Sequence, residues 1–476
     1  MTIPLLVIKI PKIGLSLKRG LFIKKRAMIT IAIPEIQELI RKKRYRDLKE
    51  SISEFLPADV VEISRSLDTP ERLLIFRLLP KDLAALVFAE LGPEEKKELL
   101  DIFTEEQIRK ILEEMDPDDR TELFDELPAI IVKNLLRLLS PQDREIAYDL
   151  MKYPEHSAGR IMTPEFVDIK TQVTAEEAIQ HIRRTGPDKE TIYYAYIIDA
   201  NRKLLSIASL KDLLIANPQT KVEDIMQKEV ISVQTLDDQE EVARLIQRYD
   251  LLAVPVVDSE HRLVGIITVD DVIDVIEEEG TEDFHRMAAM EAPADSYLNT
   301  GFFTMLLKRL PWLLALLVTS TFTSNILEHY ASVLQTAVAL VFFIPMLCGT
   351  GGNTGTQAST IVIRGLAVGD ISIKDTVKIL IRESLTGITL GVTLGIFGFI
   401  RAMLVQNSDP FLWVTVGIAL AATVVAGNVA GALLPLFAQI VKIDPAVMAG
   451  PFITTIVDLT SLFIYFELAK RILIPH

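Results

Sequence analysis

The sequence predicts a multidomain membrane protein made of an all-α N-terminal superhelical domain, an α/β tandem pair, a linker helix and a five-helix transmembrane domain. Charged residues dominate up to about residue 305, whereas the remainder is mostly apolar, in blocks of roughly twenty residues that match a spanning helix. A proline followed by an acid recurs in the first third, and a longer unit occurs twice in the middle. These observations together predict a soluble half followed by a membrane half.

The net charge of the chain indicates which classes of partner it can bind. The 476 residues carry a net charge of −15, mainly in the soluble half, which argues against nucleic acid and suits a domain that meets cations. The single cysteine, Cys348, lies inside a hydrophobic run. It rules out an intrachain disulfide or a cysteine-rich metal site, and it fits a reducing compartment for the soluble half.

Residues 1–27 are expected to contribute little to function. They combine an apolar stretch from Ile3 to Ile10 with basic residues that come mostly later. This order is the reverse of a secretory signal, and no small-residue cleavage site follows. Because Met28 stands just before the first convincing helix, we expect either an over-called start or a disordered basic arm.

Residues 28–153 are predicted to form an α-helical domain, because Leu-rich helical spacing alternates with Pro and acidic residues. Several prolines recur about every 24 residues, as in a small helical solenoid. Proline suits the first helical turn, and acids favour the positive end of a helix. The acids are explained equally well as helix caps and as functional groups. The recurring prolines are Pro57, Pro80, Pro93, Pro117 and Pro141.

Residues 154–223 and 224–282 contain two copies of one unit of about sixty residues. Strand-like runs around Ile197 and from Leu205 to Ser209 are echoed around Val256 and from Val264 to Thr268. Helix and β-rich runs alternate in the same order in both copies. This pattern predicts an α/β unit that pairs with its twin.

The duplicated unit resembles the tandem CBS-domain module over about residues 161–280. In that family such pairs are regulatory and often bind adenine nucleotides through a Gly-x-x-Thr/Ser-x-x-Asp signature. The second copy has Gly265, Thr268 and Asp271 in this arrangement, so the resemblance implies a nucleotide site, with ATP as the candidate ligand. The first copy has Ser206 where the glycine belongs, which leaves nucleotide binding open.

A linker (plug) helix is predicted over residues 283–306, directly after an acid-rich helix. Asp271, Asp274 and Glu278 would share one face of that helix, where like charges repel. Mg²⁺ would relieve the repulsion, since it prefers oxygen ligands and keeps several waters. A solvated acidic face is the alternative.

Residues 307–476 contain five predicted spans, at about 310–328, 333–363, 376–402, 411–438 and 446–468. Basic residues before the first span and between the second and third place the soluble half in the cytoplasm. Lys470 and Arg471, which follow the last span, weaken this orientation preference.

The last span carries one carboxylate, Asp458, near its middle. An ionised side chain at this depth costs at least ~3 kcal/mol, so such residues usually face water or a cation. We therefore expect Asp458 to attract a cation. The alternative is a neutral carboxyl group that is hydrogen-bonded to a neighbouring helix.

The second span contains a polar, glycine-rich segment from Pro345 to Gln357. It is not a nucleotide loop, because it lacks the Lys-Ser/Thr that would follow. Gly351 and Gly355 have the spacing that packs helices closely. A locally loosened helix that lines an aqueous cation route is the other interpretation. The polar candidates for this route are Gly351, Gly352, Asn353, Gln357, Asn428, Thr454 and Asp458.

The whole arrangement resembles the MgtE family of magnesium transporters and channels, from about residue 30 to the end. The junction from Tyr153 to Pro164, the segment from Gly349 to Gln357 and the final Asp458-Leu459-Thr460 carry the resemblance. It implies a homodimeric, Mg²⁺-selective, multi-pass protein of the bacterial inner membrane, with a cytoplasmic N-terminus and with lipid and divalent cations as further partners. It also implies that Asp458 binds hydrated Mg²⁺ in a pore on the dimer axis.

The resemblance further implies feedback control, in which cytosolic Mg²⁺ bound between the N-terminal domain, the CBS pair and the linker closes the pore. Empty acidic sites would repel one another and favour a loosened assembly, whereas Mg²⁺ would favour the compact, closed one. The matching acids are Asp238, Glu240, Asp250, Asp271, Asp274, Glu279 and Glu282, with Asp444 at the membrane face. Asp118 and its neighbours are the candidates from the N-terminal domain.

Two rival functions follow from the same residues. A membrane enzyme would use Asp458 as an acid or base, but the spans offer no His or Cys partner apart from Cys348, so we expect no enzymatic activity. A nucleotide-sensing CBS membrane receptor without ion transport is the other rival. Partner recruitment that depends on nucleotide, without ion flux, would identify it.

Overall fold

The computed structural model describes residues 32–227, 229–291, 300–405 and 409–473. The chain divides into two compact units, of which unit 1 extends to Ile273 and unit 2 begins at Asp274. The predicted extension at residues 1–27 lies outside the described residues, as does part of the predicted linker.

The N-terminal domain of unit 1 is a run of short helices, as the sequence predicts. Pro57, Pro93, Pro117 and Pro141 each occupy the first position of a helix, where the missing N–H costs nothing. Pro80 lies one position earlier, at an N-cap. The helices are α1 (residues 32–41), α2 (Tyr45–Ile52), α3 (Pro57–Arg65), α4 (Thr69–Leu78), α5 (Lys81–Ala89), α6 (Pro93–Ile102), α7 (Glu105–Glu114), α8 (Pro117–Glu126), α9 (Ala129–Leu138) and α10 (Pro141–Leu150).

One continuous hydrophobic core runs through these helices, with apolar side chains from nearly every turn buried in it. Lys96 is also buried, and its Nζ donates to Glu126 Oε2 at 3.0 Å. Arg160 joins the domain to the segment that follows it, because its guanidinium donates to Asp125. The domain is therefore tied to the start of the CBS pair within unit 1.

The two copies of the α/β unit have the same topology, which confirms the duplication read from the sequence. Each has a three-stranded sheet in sequence order, with the first two strands parallel and the last two antiparallel. The first copy contains β1 (Val167–Lys170), α11 (Ala175–Thr185), β2 (Tyr194–Ile198), β3 (Leu204–Ser209) and α12 (Leu210–Ile215). The second contains β4 (Val233–Gln234), α13 (Gln239–Tyr249), β5 (Ala253–Val257), β6 (Leu263–Thr268) and α14 (Val269–Met287).

The segment that enters each copy pairs with the sheet of the other. Thr163 exchanges two backbone hydrogen bonds of 2.9 Å with Ile266, and Gln227 donates to Ile207 at 2.9 Å. A β-carbon on Gly265 would lie 2.9 Å from the Thr163 carbonyl oxygen, so the second copy needs glycine there. The first copy accommodates Ser206 because its hydroxyl donates to the Gln227 carbonyl.

The linker is not one helix over the predicted range. The acid-rich helix α14 continues to Met287 and then ends in a turn, where Ala289 has a positive φ of 52°. Residues 292–299 lie outside the described part, and the next helix begins at Phe302.

Among its described residues, unit 2 contains five helices that are long and apolar enough to cross a membrane, as the sequence predicts. They span Phe302–His329, Val338–Ala367, Ile373–Met403, Pro410–Ile440 and Pro445–Leu473, including the short 3-10 turns at their starts. The α-helices of this unit are α15 (Phe302–His329), α16 (Ala331–Thr336), α17 (Ile344–Ala367), α18 (Thr376–Met403), α19 (Pro410–Ile440) and α20 (Gly450–Leu473).

Glycines bring the backbones of α17, α18 and α19 into direct contact. A β-carbon on Gly431 of α19 would lie 2.3 Å from the Gly355 carbonyl oxygen of α17. One on Gly391 of α18 would lie 2.7 Å from the Ala421 carbonyl oxygen of α19. The prediction of a locally loosened helix is wrong, because α17 is continuous and its glycines Gly351 and Gly355 serve close packing.

Candidate cation sites

Acidic residues from separate parts of unit 1 approach one another where the N-terminal domain meets the CBS pair. Asp118 and Asp119 lie in the first turn of α8, and Asp271 lies in the first turn of α14. Glu190 precedes β2. The negative charge of Asp271 raises the pKa values of Asp118, Asp119 and Glu190, so the four carboxyl groups lie close enough to repel. These four residues are called the acidic cluster below.

Burial is the largest cause of the raised pKa values in the acidic cluster, and repulsion adds to it. Burial and the surrounding acids raise the pKa of Asp119 to about 7 and that of Glu190 to about 8. The pKa of Asp118 also rises well above its usual range, for the same two reasons. Its Oδ1 is shielded from solvent and has no hydrogen-bond partner among the described residues. A cation bound here would offset both costs.

The structure brings together two residues that the sequence predicts as cation sensors, Asp118 and Asp271. Asp119 and Glu190 were not individually predicted from the sequence as cation sensors. Asp119 stands beside Asp118 in an acid-rich helix start, and this could have been read from the sequence. Glu190 gave no such signal, since it lies in a loop far along the chain and only the fold brings it to α8.

Three other predicted sensors lie at the ends of α13. Asp238 is the N-cap, and its Oδ1 accepts from the Glu240 backbone N–H at 2.8 Å. The Glu240 side chain pairs with Arg244. Asp250 ends the helix with a left-handed φ of 52°. Local capping and pairing account for these positions, and their role in cation sensing stays a prediction.

The remaining predicted sensors belong to unit 2. Asp274, Glu279 and Glu282 lie on α14. Asp444 caps the 3-10 helix Pro445–Met448, because its Oδ1 accepts from the Ala446 N–H at 2.8 Å. Glu282 and Asp444 come together through Arg286, whose guanidinium donates to both carboxylates. A positive side chain therefore already lies between these two predicted ligands.

The predicted nucleotide signature forms a helix cap in both copies. Thr268 Oγ1 donates to Asp271 Oδ2 at 2.5 Å, and Ser209 Oγ donates to Asp212 Oδ2 at 2.6 Å. The two copies therefore present the same hydroxyl and carboxylate arrangement. They differ at the preceding position, where the second copy has Gly265 and the first has Ser206.

In unit 2, polar residues follow the contact between α17 and α20. Asp458 is half-buried on α20, one turn after Thr454. A β-carbon on Gly352 of α17 would lie 3.2 Å from Thr454 Cγ2. One turn before Gly352, Cys348 lies beside Asp458, near enough for the two side chains to interact. These four residues therefore form a continuous strip along the two helices. The proximity of Cys348 to Asp458 was not predicted from the sequence.

The other residues predicted to line the cation route lie outside this strip in the single chain. Gly351 is buried against α19 and α20, where a β-carbon would lie 2.6 Å from Thr423 Cγ2. Asn353 and Gln357, one helical turn apart, lie on an exposed face of α17. Asn428 is buried, and its amide donates to the Glu383 carbonyl oxygen of α18 at 3.3 Å. Among the described residues, no group of at least three His, Cys, Asp or Glu side chains is arranged to hold a metal ion.

Known protein families match the helical domain, the duplicated unit and the chain from residue 344 to residue 468. The family of divalent cation transporters named MgtE matches residues 344–468, and the MgtE intracellular N domain matches residues 56–156. The CBS domain matches twice, at residues 158–218 and 222–278. The matched ranges follow the helical domain, the duplicated α/β unit and the spanning helices of the fold.

Individual relatives and solved structures are also similar to this chain. The magnesium transporter MgtE of Thermus thermophilus is 40% identical over 441 residues, which cover 92% of this chain and 98% of that protein. The magnesium transporter MgtE of Bacillus subtilis is 40% identical over 320 residues, covering 67% of this chain and 70% of that protein. A crystal structure of the cytosolic domain of the Mg²⁺ channel MgtE in complex with ATP is 41% identical, with a TM-score of 0.50, covering 51% of this chain and 99% of that one.

A helical N-terminal domain, a CBS pair and helices of spanning length, together with these matches, define a multi-pass membrane transporter of divalent cations with a large soluble region. The MgtE relatives are named as transporters and as a channel, not as enzymes, in agreement with the expectation from the sequence. The chain belongs to the MgtE family.

Proposed function

We propose that this chain is a Mg²⁺ transporter or channel for magnesium uptake, closed by feedback from cytosolic Mg²⁺. Membership of the MgtE family supports the transported ion, since relatives that match most of their length are named magnesium transporters. The acidic cluster is the observation that carries the feedback. Its carboxylates repel one another where the N-terminal domain meets the CBS pair, so a divalent cation would favour the compact arrangement.

The chemistry of the acidic cluster suits Mg²⁺ sensing. Mg²⁺ prefers oxygen ligands and usually keeps several of its waters, so it needs only a few carboxylates around it. Asp118 offers a shielded carboxylate oxygen, and Asp271 faces it from the second CBS copy. The cation would therefore bind only when both domains are in contact. This differential affinity is what lets an ion shift a conformational equilibrium.

The transport route in this proposal follows the strip of Gly352, Thr454 and Asp458. Gly352 lets α17 approach α20 closely at Thr454, and Asp458 supplies the negative charge that attracts a divalent ion. The exposed amides of Asn353 and Gln357 fit a homodimer in which α17 faces its counterpart, so that the route would lie between the two copies. Weak contacts through retained water would let the ion leave again.

Further parts of the proposal concern location and nucleotide. The basic residues Lys308, Arg309 and Arg364 favour a cytoplasmic soluble half in the bacterial inner membrane. ATP is the proposed ligand of the CBS pair, supported by the ATP complex of the related cytosolic domain and by the Thr268–Asp271 cap.

The test is Mg²⁺ flux into proteoliposomes that contain the purified full-length protein, with cytosolic Mg²⁺ varied. We expect flux that falls as cytosolic Mg²⁺ rises. In the double variant Asp271→Asn and Asp274→Asn, closure should need a higher cytosolic Mg²⁺ concentration, because fewer carboxylates attract the ion in the closed arrangement. Asp188→Asn, which removes an exposed acid of the same unit, is the control.

Two outcomes would contradict the proposal. Absence of flux from correctly folded protein under all conditions would favour the nucleotide-sensing receptor. Flux with an unchanged inhibition curve in the double variant would assign Asp271 and Asp274 to a solvated acidic face and leave transport without this sensor.

A further inference from the structure

The C-terminal half of α14 is attached to the base of the last spanning helix through an arginine. Arg286 lies in the last turn of α14, and its Nη1 donates to Asp444 Oδ2 while its Nη2 donates to Glu282 Oε1. The three side chains are only partly exposed, with 38% for Arg286, 25% for Asp444 and 32% for Glu282. The carboxylate of Glu279 adds to the negative potential around the arginine.

Asp444 transmits this contact directly to α20. Its second oxygen, Oδ1, caps the 3-10 helix Pro445–Met448, which leads into α20 at Gly450. One carboxylate thus holds the arginine with one oxygen and the start of the last spanning segment with the other. Any movement of α14 relative to α20 must break or strain one of these hydrogen bonds.

A close backbone approach marks the same junction independently of charge. Gly450 has a positive φ of 50°, and a β-carbon there would lie 2.3 Å from the Met287 carbonyl oxygen. The chain then turns at Ala289, which is buried and also has a positive φ. The end of α14 is therefore fitted to the start of α20, the helix that carries Asp458.

We propose that Arg286 acts as a built-in cation that holds the end of α14 against the base of α20 when no divalent ion is bound. The inference rests on the proposed function, in which Mg²⁺ closes the route, and it adds a contact that favours the docked arrangement without Mg²⁺. Glu282 and Asp444 were predicted from the sequence as Mg²⁺ ligands. In the structure the guanidinium of Arg286 pairs with both carboxylates at once. The guanidinium keeps its positive charge because it does not lose its proton.

The first test is Mg²⁺ flux into proteoliposomes with full-length Arg286→Gln. Loss of the charge leaves Glu282 and Asp444 facing each other, which favours the undocked arrangement. We expect higher flux at low cytosolic Mg²⁺ and a half-inhibiting concentration raised by about three- to tenfold, the shift that follows from losing a partly buried ion pair. Arg286→Lys keeps the charge and should retain most of the wild-type response.

Arg364→Gln is the matched control, because it removes one positive charge from an exposed position of α17. A second measurement does not depend on transport. Hydrogen exchange of the end of α14 in full-length protein with chelator should speed up in Arg286→Gln and remain near wild type in Arg286→Lys and Arg364→Gln. The exchange experiment also covers the case in which Arg286→Gln reduces the yield of active protein.

The outcomes separate this inference from the proposed function. Wild-type protein without Mg²⁺-inhibited flux would overturn the proposed function, while the exchange data would still test the contact. Normal wild-type inhibition combined with wild-type flux and exchange in Arg286→Gln would overturn the role of Arg286. A lowered half-inhibiting concentration in Arg286→Gln would also overturn it, since Arg286 would then compete with Mg²⁺ for Glu282 and Asp444.

Discussion

The close contact between domains in unit 1 brings like charges together, whereas the closest contacts between helices in unit 2 bring backbones together. In the acidic cluster, Asp118, Asp119 and Glu190 have raised pKa values because they are buried near other acids. In the membrane-spanning unit, Gly431 packs directly on the carbonyl oxygen of Gly355. A proton or a cation can relieve the first kind of contact, but no solute can relieve the second.

This difference indicates which unit can respond to ion concentration. A buried acidic contact stores unfavourable energy that disappears on binding a cation, so its stability depends on solution conditions. Glycine contacts depend on shape and tolerate little change of volume. The acidic contact of unit 1 is therefore suited to sensing, and the glycine contacts of unit 2 are suited to holding α17, α18 and α19 together, while Asp458 is the charged group that we propose to meet the ion.

The largest effect is expected from Asp458→Asn, which removes the proposed charge from the route while preserving side-chain shape. A carboxylate close to a divalent ion is worth several kcal/mol at the effective dielectric of a protein, so Mg²⁺ flux should fall by at least about 100-fold. Mg²⁺ flux into proteoliposomes measures this decrease. Glu467→Gln, which removes another carboxylate of α20 but can still accept from Tyr330, should keep normal flux. Equal flux in both variants would remove Asp458 from the route.

The next largest effect tests the shape-dependent contact. Gly431→Ala would place a methyl group 2.3 Å from the Gly355 carbonyl oxygen, and a β-carbon also meets Ala358 at 2.9 Å. Overpacking of this kind costs about 1 to 3 kcal/mol, so the thermal midpoint of the detergent-solubilised protein should fall. Mg²⁺ should not restore it. Gly349→Ala in α17 is the control, since a β-carbon there meets nothing within 4 Å. If Mg²⁺ restored the thermal midpoint of Gly431→Ala, the glycine contacts of unit 2 would also respond to ions, and the proposed difference between the two units would be wrong.

The sequence predicted the architecture well because each part has a strong local pattern. Prolines at helix starts, two copies of one α/β unit and five apolar runs depend on neighbours in the chain, and all three reappear in the structure. The sites were harder to predict because they depend on the fold. Glu190 reaches the acidic cluster from a loop, and Arg286 reaches Asp444 across 158 positions of sequence. The glycine-rich segment was ambiguous, since glycine both packs helices and loosens them.

A smaller effect is expected from pH, through the acidic cluster. The pKa values of Asp119 and Glu190, about 7 and about 8 in the folded protein, lie above those of the unfolded chain. The folded state therefore binds more protons between about pH 4 and 8, so its stability falls as pH rises through this window. In chelator, hydrogen exchange at the start of α8, corrected for intrinsic rates, should be faster at pH 8.5 than at pH 5.5. Mg²⁺ should slow it more at pH 8.5. The same slowing at both pH values would contradict repulsion as the cause.

The smallest effect should come from Glu190→Gln at pH 8.5, where Glu190, with a pKa of about 8, is mostly ionised. The substitution then removes one charge of the acidic cluster and keeps the side-chain length. With one repelling charge fewer, the Mg²⁺-free contact between α8 and the start of α14 should gain about 1 kcal/mol. Mg²⁺ should then stabilise it less, because less repulsion remains to be relieved. Hydrogen exchange of α8 with and without Mg²⁺ measures both effects. Asp188→Asn removes an exposed acid two residues earlier and should change neither. If Glu190→Gln instead weakened the Mg²⁺-free contact, Glu190 would hold the domains together rather than repel α8, and the acidic cluster would have to be redefined without it.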